Sequence, residues 1–561
     1  MKECRFFLKK CGLYEKINNI HLKFYRTKRG IVMIKISGMK LKLKDRDIKK
    51  AVMAELRIKE MSIKNIMIRR KSLDARKKDD IHYIYTVDVE LAEGDKIIKN
   101  IKKRKGGADI SLSPYKKYEL PKGKIKEGKR PVVAGFGPAG MFAALVLAEK
   151  GMCPIVIERG KDVDSRTEDV EKFWNGGKFD PESNVQFGEG GAGTFSDGKL
   201  TTRIKDPRSS FVTDEFIEAG APEEIAYEAK PHIGTDKLKG VVKNIRKKII
   251  ELGGEVRFEC RLNAIESTDG RVTAVITDKG KIETDSLVLA VGHSARDTFY
   301  ELAEEGITLE KKPFAVGVRI EHRQSDISRA QYGEAAKLLP PADYMLTYTT
   351  KVGRGVYTFC MCPGGYVVAA ASEEGRLVVN GMSEYARDSQ NANSALLVQV
   401  GPEDFPSDDV LAGVEFQRRI EEKAFKAGGG DYSAPIQRLG DFMEGRVSEK
   451  EGEVHHSYRP GTRFADLNDV LPDFVCYSIK EAIPALGRKL NGFDSPDAIM
   501  TGAETRSSSP VRIVRDESGQ SVSLKGLYPT GEGAGYAGGI VSAAVDGVRQ
   551  AENIIKERIN K

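Results

Sequence analysis

The sequence predicts an α/β protein. It should have a Rossmann-like nucleotide-binding domain in two stretches, a mostly β domain inserted between them, and a small ferredoxin-like α+β domain in front. Three observations predict this. A GxGxxG stretch lies inside an apolar strand–helix–strand unit at 131–158. A second glycine-rich junction between strand and helix lies near the C-terminus. Between them, residues 298–495 are rich in short strand-like segments.

Taken in order, residues 1–32 show no clear hydrophobic period and read as a loosely attached extension. Residues 33–119 form the small α+β domain. The pattern gives a strand at 31–37, a helix from Asp45 as N-cap, strands at 62–70 and 81–91, a helix at 95–104 and a strand at 116–119. "HYIYTVDVEL" alternates as a half-buried strand should. That order, βαββαβ, suits a ferredoxin-like unit. "LPKGKIKEGKR", 120–130, has the proline, glycine and charge of a linker.

The nucleotide-binding domain opens with "RPVVAGFGPAGMFAALVLAEKGMCPIVIERG". An apolar strand runs into Gly135, Gly137 and Gly140, an Ala/Leu-rich helix follows, and a second strand ends at Glu158, 23 residues after Gly135. Gly135 permits a tight turn, Gly137 lets backbone approach a pyrophosphate, and Gly140 lets helix pack on strand. The helix start at Pro138-Ala139 offers unpaired N–H groups and a positive dipole end to the phosphates. Glu158, followed by Arg159, suits the ribose hydroxyls of an adenosine.

Near the C-terminus, "GLYPTGEGAGYAGGIVSAAVDGVRQAENI" carries Gly531-Glu532, further glycines and a small-residue helix starting near Gly539-Ile540. It resembles the second flavin motif of the glutathione-reductase-type FAD superfamily, with Glu532 where an aspartate is commoner. The pairing selects FAD over NAD. The resemblance implies that the acid binds the ribityl or pyrophosphate portion, and that the helix dipole faces the flavin. Three further pieces fit. The backbone near Leu262 corresponds to the usual adenine contact. "DSLVLAVGHSARDT" resembles the strand that closes the cofactor domain, with Gly292 in place. "QFGEGGAGTFSDGKLTTR" reads as a loop over the flavin through Gly191, Ala192, Gly193 and Thr194. That loop also spells GxGxxG, but no apolar strand precedes it. With "KPHIGTDKL", "FCMCPGG", "VVAAASEEGRLVVNGMS" and "TGAETRSSSPVRI", the whole from about Met33 onward resembles the bacterial "FAD-dependent dehydrogenase" family, also labelled NAD(FAD)-utilising. The resemblance implies an FAD-binding domain at 131–297 and 496–561, with a substrate domain at 298–495.

Within the insertion, "YTFCMC-PGG-YVVAAAS" reads as a hairpin turning at Pro363-Gly364-Gly365. On a regular strand Cys360 and Cys362 share a face about 7 Å apart, too far for easy disulfide closure. C-x-C alone also lacks the partners of a zinc site, and no metal is expected. They read as packed or site-lining thiols, against a redox or nucleophilic role facing the flavin. Other catalytic candidates are Lys199 (with Arg203) for an anionic substrate, His232 ahead of a helix capped by Thr235, and Arg506 in "TRSSSPVR". His293 beside Gly292 and the pair His455-His456 read as space-filling and surface residues.

Composition bounds the function. No apolar run reaches the ~20 residues of a membrane span, and no secretory leader is recognisable. Seven scattered cysteines suit a reducing cytoplasm. Residues 1–130 carry a net charge of +22 and the remainder −13. The basic module reads as a solvated face, with RNA binding as the alternative. The expected function is FAD-dependent oxidation or reduction of a small molecule. NAD(P)H would serve at most as a transient reductant, because no separate NAD(P) Rossmann unit is visible. The alternatives are a flavin-dependent RNA-modifying enzyme and a flavoprotein that only senses or binds.

Overall fold

A computed structural model describes residues 33–45, 47–91, 108–113, 118–202 and 204–560. The chain is mixed α/β, built on three main sheets. In the first, Met33–Lys42 pairs antiparallel with both His82–Leu91 and Asp109–Leu112, and Ile63–Asp74 forms the far edge. Alternation does the work: Ile34 and Ile36, with Tyr83, Tyr85, Val87, Val89 and Leu91, face one core, closed by the helix Ile48–Leu56. The N-cap of that helix is Asp47, which accepts from Lys50 N at 2.9 Å, not the expected Asp45. The predicted helix at 95–104 lies outside the described residues. The fourth described strand of this sheet comes at Asp109–Leu112; the strand predicted at 116–119 lies partly outside the described residues, and Tyr118 and Glu119 are not in a strand. Tyr118 and Leu120 instead pack against the second core, where their apolar surface is better covered.

The second sheet has five parallel strands, in the order Leu527–Pro529, Leu287–Leu289, Val132–Ala134, Ile155–Ile157 and Glu255–Arg257. Its three central strands are wholly buried, as expected of a parallel sheet covered on both faces. The helix Pro138–Glu149 is buried on nearly every side because Thr235–Glu251 and Ile540–Asn560 pack beside it. The segment foreseen as a linker has no regular structure but lies along the C-terminal helix. Lys126 N donates to Arg558 O at 3.2 Å, and Arg558 donates to Lys129 O at 2.6 Å.

The third and largest sheet is mostly antiparallel. Its order is Thr347–Thr349, Gly355–Ala369, Asn391–Val400, Phe314–Arg323, Ile499–Glu504, Ala434–Arg438, Thr462–Phe464, with Val379–Met382 added beside Gly355–Ala369. Two expectations change here. The sheet claims Ile499–Glu504, so the inserted part extends past residue 495. The insertion also carries substantial helices, among them Ala412–Ala427 and Asp473–Lys489, which cover the apolar faces of a two-sided sheet.

Candidate functional site

A cavity of about 640 Å³ opens where the parallel sheet meets the large one. The first wall comes from the turn after Val132–Ala134. Gly135, Gly137, Pro138 and Ala139 line it; Gly140 does not. The glycines divide by cause. A Cβ at Gly135 would stand 2.3 Å from Ala290 O, and one at Gly140 1.9 Å from Gly135 O, so protein packing requires both. A Cβ at Gly137 would meet only ordinary contact at 3.7 Å, and one at Gly538 would meet nothing within 4 Å. Protein packing does not explain the absent side chains at those two positions; a ligand filling the cavity does.

The helix Pro138–Glu149 starts at Gly137 without a side-chain cap, so its first N–H groups are free for an anion. The helix Ile540–Asn560 reaches the same cavity through Gly538, Gly539 and Ile540. The two helices meet closely because Gly547 lies against Ala139, where a Cβ would come within 2.0 Å of its carbonyl oxygen. Glu532 lines the cavity and Gly531 lies just behind, against Ala139. Burial pushes the Glu532 carboxyl up to about 7, against the pull of Gly539 N–H and Lys312.

Glu158 and Arg159 line the same cavity, with Leu262 and Gly292. Glu158 is more engaged than its sequence motif suggests. It accepts from Phe136 N at 2.8 Å, Gly160 N at 3.0 Å and Gly188 N at 2.9 Å, stapling three loops together. Arg159 spans Glu182 and Asp297 and lies 4.2 Å over the Phe187 ring. Gly191, Ala192 and Gly193 line the cavity as a short 3-10 turn with no strand before it. Thr194 is buried behind them and donates to Glu189 O at 3.2 Å.

The opposite wall belongs to the large sheet, and it corrects the reading of Cys360 and Cys362. Pro363-Gly364-Gly365 does not turn a hairpin. Gly355–Ala369 is one fifteen-residue strand that breaks register twice, between Phe359 and Cys362 and between Cys362 and Gly365. The irregularity places Cys360 at φ +40°, a left-handed conformation unusual for a residue with a Cβ. Arg319 donates to Cys360 O at 2.9 Å and the Cys362 thiol to the same oxygen at 3.3 Å. Both side chains line the cavity. Cys360 is exposed, and it stands on the wall of the cavity. Burial pushes it up to about 12 despite Arg319 and Lys199, and burial raises Cys362 as well. Both are therefore neutral thiols at pH 7, which opposes a nucleophilic role.

Of the other candidates, Lys199 and Arg506 line the cavity and His232 does not. His232 stacks on Tyr385 at 5.3 Å and shares a 3.0 Å hydrogen bond with Tyr385 O. Thr235 is the first residue of its helix, not the cap. Its hydroxyl reaches across to Thr194 O at 2.7 Å, tying the glycine loop to the helix. Arg506 bonds both oxygens of Glu421 at 3.1 Å, and Arg296 grips the same carboxylate at 2.7 Å. Arg203 lies outside the described residues. Sequence reasoning missed Gln186, Lys312, Asn380, Arg387 and Glu504. Gln186, Asn380, Arg387 and Glu504 line the cavity, while Lys312 pulls on Glu532 from behind. It also took His293, which lines the cavity, for a filler. Burial, then Arg506, Arg296 and Lys312, hold His293 down near about 3, so it is a neutral imidazole. Among the described residues no cluster of His, Cys, Asp or Glu could hold a metal, and no helix is long and apolar enough to cross a membrane.

Comparison with known proteins follows this division. Residues 313–507 match the family described as FAD-dependent protein, C-terminal domain-like, and residues 33–90 match a domain of unknown function, DUF8436. An uncharacterized protein of Clostridium beijerinckii (strain ATCC 51743 / NCIMB 8052) is 54% identical over 530 residues, 93% of this chain and 99% of that one. The chain belongs to that protein's family. Its cofactor is FAD. Solved structures with a likeness to the chain include CtdE in complex with FAD (11% identical, 77% of this chain and 88% of that one, TM-score 0.31). L-proline dehydrogenase from P. horikoshii is another (15%, 77% and 95%, TM-score 0.33). Likenesses this distant bear on neither substrate nor partner.

Proposed function

We propose that this family member is an FAD-dependent oxidoreductase, exchanging electrons between FAD and a small molecule that the large sheet holds in the same cavity. One observation carries the reading. The glycine turns at Gly137 and Gly538 and the strand segment at Cys360 line a single continuous cavity, though they come from distant parts of the chain. Bound FAD would supply two-electron chemistry at its ring, and the protein supplies position and charge. The helix starts at Gly137 and Gly539 would hold the pyrophosphate and favour negative charge near the flavin. Glu532 would accept hydrogen bonds from the sugar-like chain. The neutral His293 can donate or accept one hydrogen bond without adding charge. Among the described residues no second complete strand–helix–strand unit with GxGxxG is present, so NAD(P)H would have to enter the substrate half and leave again.

The test is direct. Purified protein should be yellow and release FAD on denaturation. Anaerobic mixing with NADH and NADPH should find a reductant, and a metabolite screen should find what reoxidises it. A colourless protein that FAD does not reconstitute would sink the proposal, as would bound FAD that no donor reduces and no acceptor reoxidises.

A further inference from the structure

The substrate half of the cavity carries a charge imbalance. Lys230 pairs with Asp343 at 2.7 Å. Glu504 is held by the fully buried Arg319, at 2.5 Å from Nε and 3.2 Å from a terminal nitrogen. Asp197 is gripped on both oxygens by Arg387, at 2.9 and 2.5 Å. Each acid thus has its own cation. Lys199 has no acid to itself: it shares Asp197, at 3.4 Å, with Arg387, which makes the hydrogen bonds, so the group keeps one positive charge in excess. Its Nζ is covered and makes no hydrogen bond among the described residues. His232 beside this group does not change the sum. Burial, then Arg387, push it below its ordinary value, so it stays uncharged at neutral pH.

A buried ammonium without a hydrogen-bond partner is costly, and such a group calls for an explanation. Here it lies on a cavity wall. About a third of the Lys199 side chain is accessible and the residue lines the cavity, so a turn of the flexible stem would bring the ammonium to an anion bound there. The same cavity is lined by Tyr344, Met345, Phe359 and Met361, together with the neutral Cys360 thiol. These are contacts for an apolar body.

We infer that Lys199 is the anchor for a carboxylate, and that the substrates are small monocarboxylates with an apolar portion. This rests on the oxidoreductase reading and narrows its substrate class. Binding would restore charge balance, with Lys199 donating to the carboxylate. Lysine gives a point charge with rotatable donors, whereas a planar arginine fork would demand one fixed approach.

The probe is benzoate, with benzamide as its neutral isostere, titrated into FAD-loaded protein and followed by the flavin absorbance difference spectrum. Benzoate should bind at least about tenfold more tightly than benzamide, a gap of roughly 1.4 kcal/mol. Lys199→Met should weaken benzoate by roughly thirtyfold or more and leave benzamide unchanged, because it removes one partner of a buried charge pair. Lys199→Arg should recover most of the loss. Equal binding of benzoate and benzamide by the wild type overturns the inference, whether or not the variants fold. So does Lys199→Met with undiminished benzoate affinity, or a wild type whose flavin spectrum ignores benzoate up to its solubility. A wild type without FAD would instead sink the flavoprotein reading, so the two failures are distinguishable.

Discussion

At the scale of single residues, Gly137 and the two thiols make opposite claims. Gly137→Val meets little protein, since the nearest atom to its Cβ is Gly191 Cα at 3.7 Å. The expected outcome is a folded protein that retains less than about a tenth of the wild-type flavin, a loss of at least ~1.4 kcal/mol in affinity. Absorbance ratio and circular dichroism measure the two parts. The thiols are neutral, so Cys360→Ser and Cys362→Ser should each leave flavin binding and the rate of flavin reduction nearly intact. A fall beyond about a hundredfold, or ~2.7 kcal/mol of barrier, with FAD retained would make this segment the catalytic centre.

At the scale of elements, the irregular strand depends on Gly364. Its φ is +46°, and a Cβ there would stand 1.8 Å from Arg387 O. Gly364 N also donates to Gln324 Oε1 at 2.7 Å. Gly364→Ala should therefore destabilise the fold by roughly 2–4 kcal/mol, from left-handed strain plus overpacking, read from denaturant midpoints. The second elemental joint is Glu421, on the helix Ala412–Ala427. It joins Arg296, which follows the central strand Leu287–Leu289 of the parallel sheet, to Arg506, which follows Ile499–Glu504. Burial pushes the Glu421 carboxyl upward, but Arg296 and then Arg506 outweigh it and hold the group well below its ordinary 4.5. A depressed carboxyl gives stability that is present above pH 4.5 and lost as pH falls below it. Glu421→Gln should cost roughly 3–5 kcal/mol at neutral pH, and its penalty should shrink on acidification through that window.

At the scale of the whole molecule, two histidines, the cavity-lining His293 and the buried His322, set a further pH limit. Burial holds His293 near about 3, with Arg506 and other cations adding to it, and burial holds His322 near about 4. Both are neutral in the fold and charge more readily in the unfolded chain, whose histidines titrate near 6.5. Stability should therefore fall as pH drops below 6.5, down to about 4 for His322. His322 shares a hydrogen bond with Phe493 O at 2.8 Å, which a glutamine amide can donate. His322→Gln should flatten the stability–pH curve between 6.5 and 4, removing up to roughly 3 kcal/mol of its slope-derived change. An unchanged curve in urea titrations across that range would show that His322 does not contribute to it.

The sequence by itself determined the parts whose causes are local. Gly135, Gly137 and Gly140 are spaced by the needs of one tight turn and one helix start, and the apolar runs at 132–134 and 155–157 can only be buried strands. Alternation in "HYIYTVDVEL" fixed a face. Only the tertiary structure decided the rest, because its causes join residues far apart in the chain. Pro363-Gly364-Gly365 has the composition of a turn. It lies instead inside one irregular strand, with Gly364 left-handed and pressed against the Arg387 carbonyl, while the strand Asn391–Val400 pairs beside it. Glu158 satisfies loop amides thirty residues away. Lys199 looks like any loop lysine until Arg387, 188 positions on, comes to share the one aspartate that pairs with it. Charge balance in a cavity belongs to the assembled walls, and no single stretch of the chain contains it.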